Sequence, residues 1–318
     1  MNAPLGKRIA VVGSLNVDSV VRLQQFPKAG ETVVGASHHL FPGGKGANQA
    51  YAAGLLLTNT NVQVDMVGQV GGDAHAEWLR ASLHSVGVRT QGVLTDDSVS
   101  SGVAIIGIES GGQNRIIVVP GSNGTFTPER FAQVQQVADQ AHFVLLQLEI
   151  PLATVQVAAA RARARGATVI LDPAPAQPLP SGLLAAADFI TPNESELRTL
   201  GHLPPSESAM TFQEAQAGAE TLVRLGARNV LVKMGNQGAA CWGQAGNFHW
   251  PAFSVVAVDT TAAGDAFNAG LAAALAEGMT LQDAGHYACA TAALAVTRAG
   301  AQPAMPARHE VRGLVGVL

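Results

Sequence analysis

The sequence predicts an α/β fold: one large layered body built on a parallel sheet, with a small β-sheet projecting from it. Three observations lead there. Apolar runs at 142–148, 168–172, 187–191 and 229–233 alternate with helix-like stretches at 128–140, 152–165 and 212–226, as in parallel strands joined by crossover helices. Most of the 35 glycines fall between an apolar run and a helix-like segment, where turns and phosphate sites form. Two β-rich excursions, roughly 16–41 and 97–120, interrupt the rhythm, and each is too small to fold alone.

Taken in order, Ile9-Ala10-Val11-Val12 reads as a buried strand. Residues 17–40 alternate apolar and polar around Pro27 and Gly30, which suits strand, turn and strand. An alanine-rich helix is expected over 44–57, a strand over 62–68 and a helix over 73–86. Residues 99–119 read as a hairpin with arms Val103–Ile106 and Ile116–Val119 and a turn at Gly111-Gly112. A second hairpin is expected over 238–243 and 247–250, then two closing helices over 264–277 and 281–297. Pro173 to Pro180 holds four prolines in eight residues and reads as a rigid loop, not a boundary. Residues 1–318 are therefore expected to form a single domain whose two excursions, about 16–41 and 97–120, combine into a small sheet projecting from the main body. A projecting sheet with one apolar face needs cover, from a substrate, a partner subunit or both.

Composition narrows the class. At ~150 residues per domain, 318 residues allow one large or two small domains. Apolar residues make up 47%, which excludes global disorder. Charged residues are only 13% against roughly 25% in an ordinary chain, so part of the surface is expected to be buried in an oligomer. The net charge is −4 and no basic run exceeds two residues, which argues against nucleic acid. Cys241 and Cys289 cannot make a disulfide framework, and polar Asn16-Val17-Asp18 comes too early for a signal peptide. Apolar stretches such as 287–297 fall far short of the ~20 residues of a membrane helix. A soluble, cytoplasmic protein is expected.

The most informative segment is Val258 to Gly270, which runs from a strand end into a helix. Small residues Ala262, Ala263 and Gly264 let backbone approach a ligand, and the helix start leaves N–H groups unpaired, which makes an anion site. Asp265 lies beside that anion. A carboxylate is repelled by a phosphoryl group, so it suits proton removal from an attacking hydroxyl, worth ~10²–10⁴-fold in rate. A plain helix cap is the alternative, and Asp259 with the packed small residues weighs against it. Phe41 to Ala50 opens a second helix from glycines but is neither a Walker loop nor a dinucleotide fingerprint. Lys45 and Asn48 share one helix face behind Gly44, which suits a polyhydroxylated ligand, or else the segment is a plain glycine turn followed by a surface lysine. Asn16 and Asp18 alternate along an extended segment and can pair with vicinal hydroxyls, or else form an Asx turn. Glu149 ends a buried strand. Asn193 and Glu196 follow another and could hold hydrated Mg²⁺, or else simply open a helix. Lys233, Gly235 and Gly238 could pass a nucleotide.

Together these segments resemble the ribokinase or PfkB-type carbohydrate kinases from Gly13 to about Pro306. The resemblance rests on GSLNVD (13–18), FPKAGETV (26–33), PGGKGANQA (42–50), LQLE (146–149), DPAPA (172–176), TPNESE (191–196), VDTTAAGDAFNAG (258–270) and AVTRAGAQP (295–303). It implies a Rossmann-like body with a β-sheet lid that often makes a dimer contact. It also implies ATP, Mg²⁺ and activation by a monovalent cation, usually K⁺. By matching position, Asn16, Asp18, Gly44, Lys45, Asn48 and Glu149 would bind the sugar. Asp265 would be the base, with the amides of Ala262, Ala263 and Gly264 as the anion hole. Asn193, Lys233, Gly235 and Gly238 would line the ATP site, and Glu196 would act through Mg²⁺. Asp259, Thr261, Ala295, Arg298 and Gly300 would face the monovalent ion, mostly through backbone oxygens. Two departures stand out. Cys289 replaces a frequent histidine near the adenine, and Ala304 replaces a frequent serine near the cation.

The expected activity is transfer of the terminal phosphate of ATP to a primary sugar hydroxyl, with ribose as the first choice of acceptor. Fructose, a ketodeoxy sugar acid or a nucleoside are the alternatives within the family. A non-catalytic sugar or nucleotide sensor is the alternative outside it, and the presence of Asp265 argues against that. A dinucleotide oxidoreductase lacks its glycine fingerprint.

Overall fold

The computed structural model describes residues 6–316 apart from Gly112 and Glu207. In chain order, β1 (Arg8–Val12), β2 (Asn16–Leu23) and β3 (Ser37–Gly43) lead into α1 (Lys45–Leu56). Then come β4 (Gln63–Gly71), α2 (His75–Ser85), β5 (Arg89–Asp96), β6 (Gly102–Glu109) and β7 (Asn114–Val119). Short helices α3 (Pro128–Ala132) and α4 (Gln135–Asp139) precede β8 (Phe143–Leu146), α5 (Leu152–Ala164) and β9 (Thr168–Leu171). After α6 (Ser181–Ala186) come β10 (Phe189–Ile190), α7 (Glu194–Leu200), α8 (Phe212–Arg224) and β11 (Asn229–Lys233). The hairpin β12 (Ala239–Gly243) and β13 (Phe248–Trp250) precedes α9 (Ala263–Ala276), α10 (Leu281–Ala295) and α11 (Arg308–Val315).

The apolar runs become strands because both faces of the sheet are covered. In β1, Ile9 and Val11 join one buried cluster while Ala10 and Val12 join the other. In β8, β9 and β11, Leu145, Ile170 and Leu231 take the first side, and Leu146, Leu171 and Val232 the second. The nine strands of this sheet run in the order β13-β12-β11-β10-β9-β8-β1-β4-β5. All neighbours from β11 to β5 are parallel, and only β12 and β13 are antiparallel. The order reverses between β1 and β8, since one leads on to β4 and the other to β9. That opens a crevice at the carboxyl ends of the strands, where open α/β sheets bind ligands.

The two β-rich excursions do combine. They form a four-stranded sheet in the order β3-β2-β6-β7, with β2 and β6 parallel in register from Asn16↔Gly102 to Leu23↔Glu109. One edge strand, β7, is exposed along its whole length.

Two of the elements differ from the sequence reading. The helix expected over 128–140 is two short helices, α3 and α4, separated at Gln133 and Val134. The strand β5 was not anticipated. It lies at the sheet edge beside β4, so only part of Arg89–Asp96 is buried and its apolar signal is weak. The hairpin arms fall as expected, and Glu109 N–H donates to Gln113 O at 2.9 Å, but Gly112 of the expected turn lies outside the described residues.

Candidate active site

Several of the groups around the crevice sit at strand ends. Ser14 follows β1, Glu149 follows β8, Asp172 follows β9, Asn193 follows β10 and Lys233 ends β11. Two glycines bring the start of α1 against the β1–β2 turn. A methyl group on Gly46 would fall 2.6 Å from Ser14 N, and one on Gly44, whose φ is 87°, would fall 2.7 Å from Asn16 N. Glu149 ties this junction: its Oε2 accepts from Ser14 Oγ at 2.6 Å and from the Lys45 amide at 3.0 Å.

Asp265 lies in the first turn of α9, 4% exposed, and lines the crevice. Its Oδ2 accepts from Asn48 Nδ2 at 3.1 Å and its Oδ1 from Gln49 Nε2 at 3.0 Å. Burial raises its pKa to about 6; Lys45 and the two amide donors pull it down, and Asp172 pushes it up. Gln49 also donates to Asp172 Oδ2 at 3.1 Å and accepts from Gln147 Nε2 at 2.7 Å. A buried amide network thus holds the carboxylate from the back. Asn48 Oδ1 is buried without a partner among the described residues, so an acceptor is left for a ligand hydroxyl.

The head of α9 carries open amides. Ala262 adopts the left-handed conformation, with φ 58° and ψ 14°, an arrangement costing a non-glycine residue roughly 1–2 kcal/mol. The amides of Ala262, Gly264 and Asp265 have no protein acceptor among the described residues. The Ala263 amide faces Thr260 O at 3.3 Å, a long bond, so of the expected 262–264 the amides of Ala262 and Gly264 are open and Asp265 joins them.

A cavity of about 570 Å³ leads from this point. Its lining includes Lys45, Asp172, Asn193, Glu196, Lys233 and the open helix head together with Phe253, Val255, Cys289, Ala292 and Val296. A slot lined by both charged and apolar groups suits a phosphorylated aromatic ligand. Gly235 and Gly238 border it with φ 53° and 88°. Cys289 is 6% exposed, and burial pushes its thiol up to about 12, so it meets the slot as a neutral group.

Asn193 and Glu196 form a capping box on α7 and also line this cavity. Glu196 Oε2 accepts from the Asn193 amide and Oε1 from Asn193 Nδ2, both at 2.8 Å. Burial raises the Glu196 pKa, Lys233 opposing it. Behind the cavity, the turn at Asp259 meets the end of α10. Asp259 accepts from Thr261 N and Gly300 N, both at 2.9 Å, and Val258 N–H donates to Val296 O at 2.7 Å. The Arg298 guanidinium pairs with Glu310 rather than with Asp259.

On the lid side, Asp18 is buried beside Gly43, and burial, Glu149 and Asp265 together raise its pKa to about 7, against the pull of Lys45. Burial would strip Lys45 of its charge, but Asp265, Asp172, Glu149 and Glu196 outweigh that and raise its pKa. Asn16 Oδ1 accepts from Asn123 Nδ2 at 2.7 Å.

The pattern of the pfkB family carbohydrate kinases matches residues 7–308. This chain belongs to that family. A ribokinase of Bacillus subtilis (strain 168) is 38% identical over 309 residues, covering 97% of this chain and 99% of its own. A deoxyribokinase of Salmonella typhi is 36% identical over 299 residues, covering 94% and 95%. Among solved structures, the Arabidopsis thaliana ribokinase complexed with ribose and ATP is similar at a TM-score of 0.89 and 34% identity, covering 98% of this chain and 99% of that one. The chain is thus a carbohydrate kinase, with the central sheet and separate small sheet of that fold.

For a family member, sequence reasoning found the crevice groups and missed their supports. Gln49, Asp172, Gln147 and Asn123 were assigned no role. Gln49 stands next to Asn48, and Asp172 opens the DPAPA segment, so both lay inside conspicuous motifs. Their partners are 61–216 residues away in the chain, beyond the reach of any local pattern.

Proposed function

We propose that this chain transfers the terminal phosphate of ATP to the primary hydroxyl of ribose. One observation carries the reading: a buried carboxylate, Asp265, stands at a helix head with open amides and borders the mouth of the large cavity. In this reading the sugar lies between Asp265 and the lid. Asp18 takes vicinal hydroxyls, and Asn48 Oδ1 accepts from another. Lys45, Asn16 and the free Oε1 of Glu149 complete the sugar contacts. Asp265 accepts the hydroxyl proton as the oxygen attacks the phosphorus, and the amides at the head of α9 receive the charge of the transferring group. Positioning and charge carry the reaction, since the protein forms no covalent bond.

Counting charges supports a divalent ion. Asp18, Glu149, Asp172, Glu196 and Asp265 face only Lys45 and Lys233, so a polyphosphate needs further positive charge. Each oxygen of Glu196 accepts one hydrogen bond and keeps a lone pair, which fits a water of hydrated Mg²⁺. Mg²⁺ would neutralise the phosphates. Asp259, held by the amides of Thr261 and Gly300, with Arg22 also lowering its pKa and no lysine or arginine hydrogen-bonded to it among the described residues, fits a monovalent cation beside the carbonyls of Thr261, Ala295, Arg298 and Gly300, and K⁺ is the expected ion. Ala304, buried near this turn, offers no hydroxyl, which predicts a weak cation response. We place the enzyme in the cytoplasm as a homodimer joined through its lid. The exposed Ile116, Ile117, Val118 and Val119 of β7 support that interface.

The deoxyribokinase relative favours deoxyribose as a second reading. The test is ATP-to-ADP turnover with ribose, deoxyribose, fructose, ketodeoxygluconate and nucleosides, each with Na⁺ or K⁺. The highest kcat/KM is expected for ribose. Turnover confined to a nucleoside would reject the sugar assignment.

A further inference from the structure

Gln49 of α1 is wholly buried and does not line the cavity, yet its side chain meets two carboxylates. Its Nε2 donates to Asp265 Oδ1 at 3.0 Å and to Asp172 Oδ2 at 3.1 Å. Both N–H donors of the amide are thereby committed. Its Oε1 accepts from Gln147 Nε2 at 2.7 Å. Only one orientation of the amide suits this place. Turned over, it would set a carbonyl oxygen against two carboxylates and its donors against the Gln147 amide group. Asp172 is held on its other side, where Oδ1 accepts from Lys233 Nζ at 2.9 Å.

We infer that Gln49 is a positioning residue for the general base, its amide fixing Asp265 Oδ1 from behind while Gln147 fixes the amide. This rests on the kinase reading above and adds a side chain that acts through the base. With Asn48 donating to Oδ2, each oxygen of Asp265 accepts one hydrogen bond and keeps a lone pair for the hydroxyl proton. A donor to a carboxylate favours its ionised form, the form a base needs, so loss of the Gln49 bond should raise the pH at which Asp265 ionises. The charged groups around Asp265 are Lys45 of α1, Asp172 past β9, Asp18 of β2 and Lys233 of β11, whose ammonium stands beside Gly264. Glu149, past β8, bears on Asp18 and Lys45. From α10 the cavity receives only Cys289, Ala292, Ala293 and Val296, none of them charged. The alternative is a glutamine that merely packs α1 against the strands.

The two separate by experiment. Gln49→Met keeps the length of the side chain and loses both donors. Infrared difference spectra between each protein and its Asp265→Asn counterpart isolate the Asp265 carboxyl band, and a pH series without substrate gives its midpoint. In Gln49→Met the midpoint is expected to rise by at least half a pH unit, with the acid limb of kcat/KM moving the same way. At pH 7 kcat is expected to fall at least tenfold, with ADP affinity by calorimetry within threefold of wild type. A smaller shift of the midpoint would show a packing residue and overturn the inference. Gln147→Met, which touches neither carboxylate, settles the matter if Gln49→Met does not fold: its midpoint should rise too, and an unmoved midpoint there would overturn the inference. If wild type transfers phosphate to no sugar, the kinase reading fails, and the infrared titration still shows whether Gln49 governs the carboxylate.

Discussion

Asp18 shows how the site costs the fold. Burial beside Glu149 and Asp265 raises its pKa to about 7, so the empty folded protein retains a proton that an unfolded chain releases near 4. Folding stability from this group is full below the unfolded value and is lost as the pH climbs through 7. Asp18→Asn should therefore stabilise the unliganded protein at pH 8 by on the order of 2 kcal/mol, with the gain fading toward pH 4, as thermal melts can show. The same variant should raise the KM for ribose at least tenfold, because an amide replaces an acceptor-only carboxylate. Asp265 titrates at about 6 and must be ionised to accept a proton. The acid limb of kcat/KM is expected to break between pH 6 and 7 as a property of the coupled carboxylates, well above the ordinary carboxylate range. A limb that breaks near 4 would remove Asp265 from the role. The presence of these two carboxylates was legible from the local motifs. Their raised pKa values were not, since burial and neighbouring charge come from distant segments.

At the scale of elements, the site depends on how closely α1 approaches the β1–β2 turn. Gly46 lies against the backbone of Gly13 and Ser14 with no flexible side chain to yield. Gly46→Ala is expected to destabilise by about 1–3 kcal/mol and to lower kcat, because Asn48 and Gln49 ride on the same helix. Denaturant melts and turnover of one preparation test both effects. The helix head works in the same way: α9 and α10 pack closely at Gly270, where a methyl group would fall 2.7 Å from Thr291 Oγ1. The parallel strands were readable because burial on both faces leaves unbroken apolar runs. The edge strand β5 was not, because Arg89-Thr90-Gln91-Gly92-Val93-Leu94-Thr95-Asp96 covers the sheet on too few positions to leave that signature. The break between α3 and α4 carries no proline or glycine, so nothing local announced it.

For the molecule as a whole, the small sheet supplies Asn16 and Asp18 while α9 of the body supplies Asp265, so the proposed sugar site would form only where the two sheets meet. Closure over the sugar should exclude water, and ATP hydrolysis without sugar is expected to be at least 100-fold slower than transfer; a comparable rate would argue against a closing lid. The exposed apolar residues of β7 are the proposed dimer contact. Ile117→Glu is expected to convert a dimer to a monomer in sedimentation, whereas an unchanged mass would move the interface elsewhere. The two excursions were recognisable as a small projecting sheet from their alternation, but which edge they expose followed only from the order β3-β2-β6-β7. The central claim is that the buried carboxylate at the head of α9 strips the proton from the attacking hydroxyl. Its most direct measurement is single-turnover phosphate transfer from ATP to ribose in wild type and Asp265→Asn, with ADP affinity taken on the same samples. The account predicts a rate loss of ~10²–10⁴-fold with ADP affinity nearly unchanged; transfer by Asp265→Asn within threefold of wild type would contradict it.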